Sequence, residues 1–148
     1  MNEIPLITIV AGVVVFAASQ YLLKLILEPV IELKKTIISI SSSLLYYQAA
    51  ITNASPNAEV SLLLKRLSAN LRSNASLIPF YRFLYFLYIF RIPKKSNILT
   101  ACRELNGLSY GMDPIAQNAD KKGDVAIRHK RAIDEIAKLL NVETTYET

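Results

Sequence analysis

The sequence has no tryptophan, one cysteine, Cys102, and one histidine, His129. A lone cysteine excludes an intrachain disulfide and a cysteine-built metal centre. With a single histidine beside it, a structural zinc site lacks ligands, and no cofactor is expected. Glycine is scarce, at four residues, and none sits in a phosphate-cradling loop pattern. No carboxylate pair shares a helix face, and no segment alternates convincingly as a strand. An enzyme is therefore not expected. The most informative absence is positional: no Lys or Arg precedes Lys24.

What is present is apolar and basic. The 148 residues carry a net charge of +5, are 52% hydrophobic and have a mean hydropathy of +0.29. That length allows one domain and an anchor. Pro5 to Leu23 is nineteen residues without a charge, ten of them Ile, Val, Leu or Phe. As a helix at about 1.5 Å per residue it spans roughly 28 Å, close to a bilayer core of about 30 Å. Its aliphatic content favours insertion by a few kcal/mol. Pro5 suits a first helical turn. Tyr21 and Lys24 suit the far interface, ring at the headgroups and ammonium in water. Residues 1–28 thus read as a transmembrane anchor. A buried soluble helix and a cleaved signal peptide compete with that reading. The uncharged run is long for the first. For the second, the leading Met-Asn-Glu lacks Lys or Arg and the apolar run is too long. Because all basic residues follow Leu23, the positive-inside rule predicts a single pass with the N-terminus outside and the C-terminus cytoplasmic.

Past Glu28, Pro29 is expected to kink or interrupt the helix. Val30, Leu33, Ile37, Ile40, Leu44, Tyr47 and Ile51 then recur at alternating spacings of 3 and 4, a heptad seam. Such a seam serves self-association of two copies or packing within one chain. "SISSS" at 39–43 is a poor helix former. A turn at 52–59, with Ser55 as cap and Pro56 at the first position, opens a helix whose apolar face is Val60, Leu63, Leu64, Leu67 and Leu71. Residues 29–77 so read as a juxtamembrane helical hairpin. C-terminal helices follow over 94–140. Ser96 caps the first of them, with Ile98, Ala101, Cys102 and Leu105 on one face, and Gly107 and Gly111 break it up. The last, about 122–140, turns Ala126, Ile133, Ile136, Ala137 and Leu140 inward. A polar segment opens at Asp113-Pro114, and 141–148 reads as a polar, frayed tail. The fold class is all-α: one N-terminal transmembrane helix and a small helical cytoplasmic region.

Residues 78–93, "IPFYRFLYFLYIFRIP", hold seven of the thirteen aromatic residues. On a helical wheel over 80–91, Tyr81, Tyr85 and Tyr88 fall on one side and Phe83, Phe86 and Phe90 on the other. Such a helix is about 13 residues, too short to span, and Arg82 resists burial in lipid. An in-plane amphipathic helix resolves this: Phe83, Phe86 and Phe90 enter the acyl boundary while Arg82 and Arg91 meet phosphates. Lys94 and Lys95 add attraction to an anionic leaflet. A spanning segment and a core helix of the cytoplasmic part are the alternatives. Charge follows the same division. From Lys24 to Arg103 the net is +8, and from Glu104 onward it is −2. The basic run "RHKR" at 128–131 is bordered by Asp124, Asp134 and Glu135 and reads as a solvated face, so nucleic acid is not an expected partner.

"GLSYG" at 107–111 matches G-x-S-x-G, with Ser109 as nucleophile, Asp113 or Asp124, and His129 as base. The motif needs a strand before it in a large parallel sheet, and here a helical pattern precedes it. "NAS" at Asn53 and Asn74 reads as cap and turn chemistry rather than glycosylation.

"SSSLLYYQAAITN" at 41–53, "LLKRLSANLRSNASLIPFYRFL" at 63–84 and "RIPKKSNILTACRELNGLS" at 91–109 resemble a group of small bacterial membrane proteins with one N-terminal transmembrane helix. The resemblance covers roughly half of the chain. It implies bacterial origin and an inner-membrane anchor with a helical cytoplasmic part, and it brings no activity or catalytic residue. The expected partners are the lipid bilayer, anionic lipids in particular, a protein, and a second copy of the chain. The expected role is binding or scaffolding. The alternatives are an oligomerising, membrane-perturbing effector and a lipid-acting enzyme.

Overall fold

A computed structural model describes residues 3–88, 90–116 and 122–145, and the regular elements among them are all helices. Residues 1–2 of the anchor, 89 of the aromatic stretch, 117–121 of the polar segment and 146–148 of the tail lie outside the described residues. The chain begins with α1 (Glu3–Leu22), a π-helical turn (Leu23–Leu27) and α2 (Glu28–Tyr46), which run on without a break. Proline at 29 therefore does not interrupt the helix. Its ring crowds the carbonyl four residues back, at Leu25. The preceding turn widens instead, and the Glu28 N–H donates to the Leu23 carbonyl, one residue beyond the α-helical partner.

The two halves of this long helix differ in burial. From Leu6 to Leu25 every described side chain of α1 and the π turn is exposed. Val30, Leu33, Ile37, Ile40 and Leu44 of α2 are buried, Ile51 on the short α3 (Gln48–Thr52) is buried, and Tyr47 packs half-buried on the same core. The heptad seam is thus consumed inside the chain, largely against α4 (Ala58–Leu77). Of the two readings of 30–51, packing within one chain is the one the structure realises, with Tyr47 alone of the seam keeping partial exposure. "SISSS" stays helical because Ile37, Ile40 and Leu44 around it are buried in the core, while Ser39 Oγ bonds the Lys35 carbonyl and Ser42 Oγ the Ser39 carbonyl.

Asn74 Nδ2 donates to Thr36 Oγ1 at 2.8 Å, so α4 runs antiparallel to α2. After the short α5 (Tyr81–Phe86) comes α6 (Lys95–Met112), antiparallel to α4, since Ser61 meets Ser109 and Ser68 meets Cys102. Last is α7 (Lys122–Leu140), which packs on α6 and α3 and returns along α2, where Ser41 Oγ bonds the Glu143 carbonyl. The result is an up-down-up-down set of four helices around one apolar core, with α1 projecting from one end.

The α4–α6 contact is built from small residues. Ser61 Oγ donates to the Ser109 carbonyl and Ser109 Oγ to the Ser61 carbonyl, both at 2.9 Å. One heptad along, Ser68 Oγ donates to the Cys102 carbonyl at 3.0 Å and the Cys102 thiol to the Ser68 carbonyl at 3.5 Å. Each hydroxyl thus meets the opposite backbone, which requires a close approach of the two helices and leaves none of these buried polar atoms unpaired.

Three local expectations change. Helix α4 is capped by Asn57, whose Oδ1 accepts from the N–H groups of Glu59 and Val60, and Ser55 and Pro56 precede the cap. Helix α6 starts after Lys94 without a side-chain cap, so Ser96 lies inside it, and it runs through Gly107 and Gly111. Gly111 is needed for packing, because a Cβ there would collide with the His129 ring. The tail is not frayed over its first residues. Asn141 takes a left-handed conformation (φ 55°), the Val142 N–H returns to the Ala137 carbonyl, and Thr144 is buried. That is the Schellman closure of a helix with asparagine in glycine's usual place.

Candidate functional site

The antiparallel register brings the end of α4 level with the start of α2. Asn74 bonds Thr36, and its amide also reaches the Glu32 carbonyl at 3.4 Å. Leu77 and the residues after it therefore sit beside the first turn of α2 and the π turn, where Ile26 packs on the core. The aromatic stretch is placed at the end of the bundle from which α1 emerges.

Its shape differs from the wheel. Proline at 79 ends α4, Phe80 is left-handed (φ 49°), and helix α5 covers only Tyr81–Phe86. Tyr88 (φ 54°) and Arg91 (φ 46°) then turn the chain back into α6. Left-handed non-glycine residues each cost on the order of 1–3 kcal/mol and persist where tertiary contacts over-determine them. Here those contacts are Ile78, Tyr81, Leu84 and Ile92, all buried. The Tyr81 hydroxyl donates to the Pro93 carbonyl at 2.6 Å, tying the first turn of the excursion to its last residue. Burial pushes the Tyr81 phenol well above its ordinary pKa.

The membrane-interface residues predicted from the wheel divide. Phe83 and Phe86 are exposed, at 62% and 85%, and are joined by Phe80 at 79%, Leu87 and Tyr88. Phe90 instead packs half-buried on the core, and Tyr81, on the wheel side opposite the phenylalanines, faces inward. The causes differ: a six-residue helix cannot carry the wheel as far as position 90, whereas Tyr81 lies within that helix on the face, shared with Leu84, that packs on the core. The 3-residue spacing of Ile78, Tyr81 and Leu84 was the sequence signal for the buried side. Arg82, Arg91, Lys94 and Lys95 are exposed, as are Tyr21 and Lys24 on the long helix. Lys94 Nζ stands 6.0 Å from the Tyr85 ring centroid, within cation–π range. The outcome is an exposed apolar ridge flanked by cations, held on a buried tyrosine clamp.

At the opposite end, His129 is buried, and its Nδ1 lies 2.8 Å from the Ile51 carbonyl, which fixes that nitrogen as the protonated one. Desolvation is the main cause that lowers its pKa. A cleft of about 290 Å³ between α6 and α7 is lined by His129, Glu104, Glu135, Arg128 and Arg131 among others, and desolvation together with Glu135 raises the Glu104 pKa. Ser109 does not line this cleft; it is fully buried in the last turn of α6 and bonded to Ser61. The G-x-S-x-G match therefore has no elbow geometry.

No family model, curated protein or solved structure matches the chain. The grouping with small bacterial membrane proteins rests on the three quoted segments alone.

Proposed function

We propose that the protein is a single-pass, membrane-anchored helical binding or scaffold protein that holds a basic, aromatic surface against the cytoplasmic leaflet of a bacterial inner membrane. The reading is carried by one observation: α1 presents apolar side chains on all sides that nothing among the described residues covers, and the exposed Phe80, Phe83 and Phe86 stand at the same end of the bundle. Ten large aliphatic or aromatic side chains in water would cost roughly 1.5–3 kcal/mol each relative to burial. A bilayer is the environment that removes this cost. The orientation is supported by the basic residues, all of which follow Leu23. The serine-hydrolase alternative loses its motif, because Ser109 is buried against Ser61 and does not line the His129 cleft. The oligomerising effector has less support, because its seam packs inside the chain.

Carbonate and high-salt washing tests the anchor, with the full chain expected to stay in the membrane pellet. Its recovery in the supernatant would sink the proposal. Reporter fusions after Thr148 test orientation: a cytoplasm-dependent reporter is expected to be active, and activity of the periplasm-dependent one alone would reverse it. Changing Phe80, Phe83 and Phe86 together to Ser is expected to leave the helical circular dichroism intact and to raise the accessibility of Arg82 and Lys94 to soluble labelling reagents. Melting of the bundle in that variant would make the ridge a core element instead.

A further inference from the structure

We propose that the cleft between the 85–94 segment and the end of α7 binds the phosphate of an anionic lipid headgroup. This rests on the membrane placement proposed above and adds a defined ligand site to it. The cleft holds about 400 Å³, and its lining is chemically one-sided. Arg91 and Lys94 come from the aromatic excursion and Lys138 from α7, while Asn97 and Asn141 add side-chain amides. No carboxylate of the described residues lines it. An anion therefore meets three cations and neutral donors with no opposing charge in the wall. The cation–π contact of Lys94 with Tyr85 keeps one ammonium at the wall rather than out in solvent.

Lipid is favoured over other phosphate carriers by position. Tyr88 lines the cleft and continues the exposed ridge of Phe86 and Leu87. A headgroup seated in the cleft would lay its acyl chains along that ridge. Lys138 is the discriminating residue. It is far from Lys94 in sequence and belongs to the part of the chain with net negative charge. General attraction of the basic half to an anionic leaflet would not call on it.

The test uses the full chain in nanodiscs of phosphatidylcholine with a minor fraction of phosphatidylglycerol. Lipid retained after detergent extraction is counted by native mass spectrometry. Lys138→Gln and Lys94→Gln, on opposite walls, are each expected to lower retained phosphatidylglycerol about fivefold. Lys65→Gln, an equal loss of charge on α4 outside the cleft, is expected to leave it unchanged. Two variants on separate walls keep the result readable if one disturbs folding. Equal losses in all three, or equal retention of both lipids by the parent, overturns the headgroup site and leaves the anchor standing. Recovery of the chain outside the bilayer instead fails the placement. Displacement of the lipid by glycerol phosphate or by a phosphorylated peptide at equal concentration would assign the cleft to a soluble phosphate or a protein partner, and would also overturn the proposal.

Discussion

Helices α1 and α2 are two parts of one continuous helix, yet they obey different rules. In α1 apolar residues occupy every side, and none of those described is buried. In α2 they keep to one stripe, and that stripe is the core. The rise per residue and the backbone bonding are shared, so the difference lies in what each part needs around it. A stripe is satisfied by neighbouring helices of the same chain, whereas all-round apolarity needs cover on every side, by lipid or by other protein.

The largest expected break in that comparison comes from charge in α1. Val13→Arg with Val14→Arg adds roughly 2.5–3.5 kcal/mol each against insertion, enough to cancel the favourable sum. The double variant is expected to leave the carbonate-resistant pellet while its bundle keeps its melting temperature. Core truncation sharpens the contrast from the other side. Leu33→Ala is expected to cost about 2–5 kcal/mol of bundle stability, read by thermal circular dichroism, and to leave membrane retention unchanged. Val14→Ala should do neither. Next in size is Gly111→Ala, where the new methyl must displace the His129 ring. Overpacking of this kind costs about 1–3 kcal/mol, and a melting temperature equal to the parent's would show that the ring has room to move.

Acid should act on the bundle alone, because α1 has no acid or base between Glu3 and Lys24. The folded state lowers the His129 pKa below its ordinary 6.5. The unfolded chain then binds the proton more readily, so stability is full above about pH 6.5 and declines as pH falls toward the folded value. Thermal melts in acid should show that decline, and His129→Gln should flatten it. The smallest expected effect is Ser61→Ala, which removes one of four reciprocal bonds between α4 and α6 and should cost about 1 kcal/mol.

Much of this architecture was legible as periodicity. The 3,4 spacing from Val30 to Ile51 marked the buried face of α2, and the uncharged run 5–23 marked α1. Less legible was which partner a face would meet, since a heptad seam looks alike whether its partner is α4 or a second chain. The small residues Ser61, Ser68, Cys102 and Ser109 carried a seven-residue period of their own. It was hidden because serine within a helix reads as weak propensity and gives no packing signal. The candidate site was legible in composition and not in shape. Left-handed turns at Phe80, Tyr88 and Arg91 are set by tertiary contacts, so no wheel drawn over 80–91 could place Phe90. The contribution of Lys138 to the cleft beside Lys94 depends on α7 returning along the bundle, which no local pattern encodes.

The unbroken passage from α1 through the π turn into α2 also has a mechanical meaning. Proline at this point could have broken the helix, and the chain keeps one unbroken rod instead. From Lys24 to Tyr46 the rod is about 33 Å long. On the proposed placement, a change of about 10° in the tilt of α1, well within what bilayers of different thickness impose, would swing the far end of the bundle by about 6 Å. Bilayer thickness would then be converted into the position of His129 and its cleft, as a lever converts a small rotation at its pivot into travel at its tip.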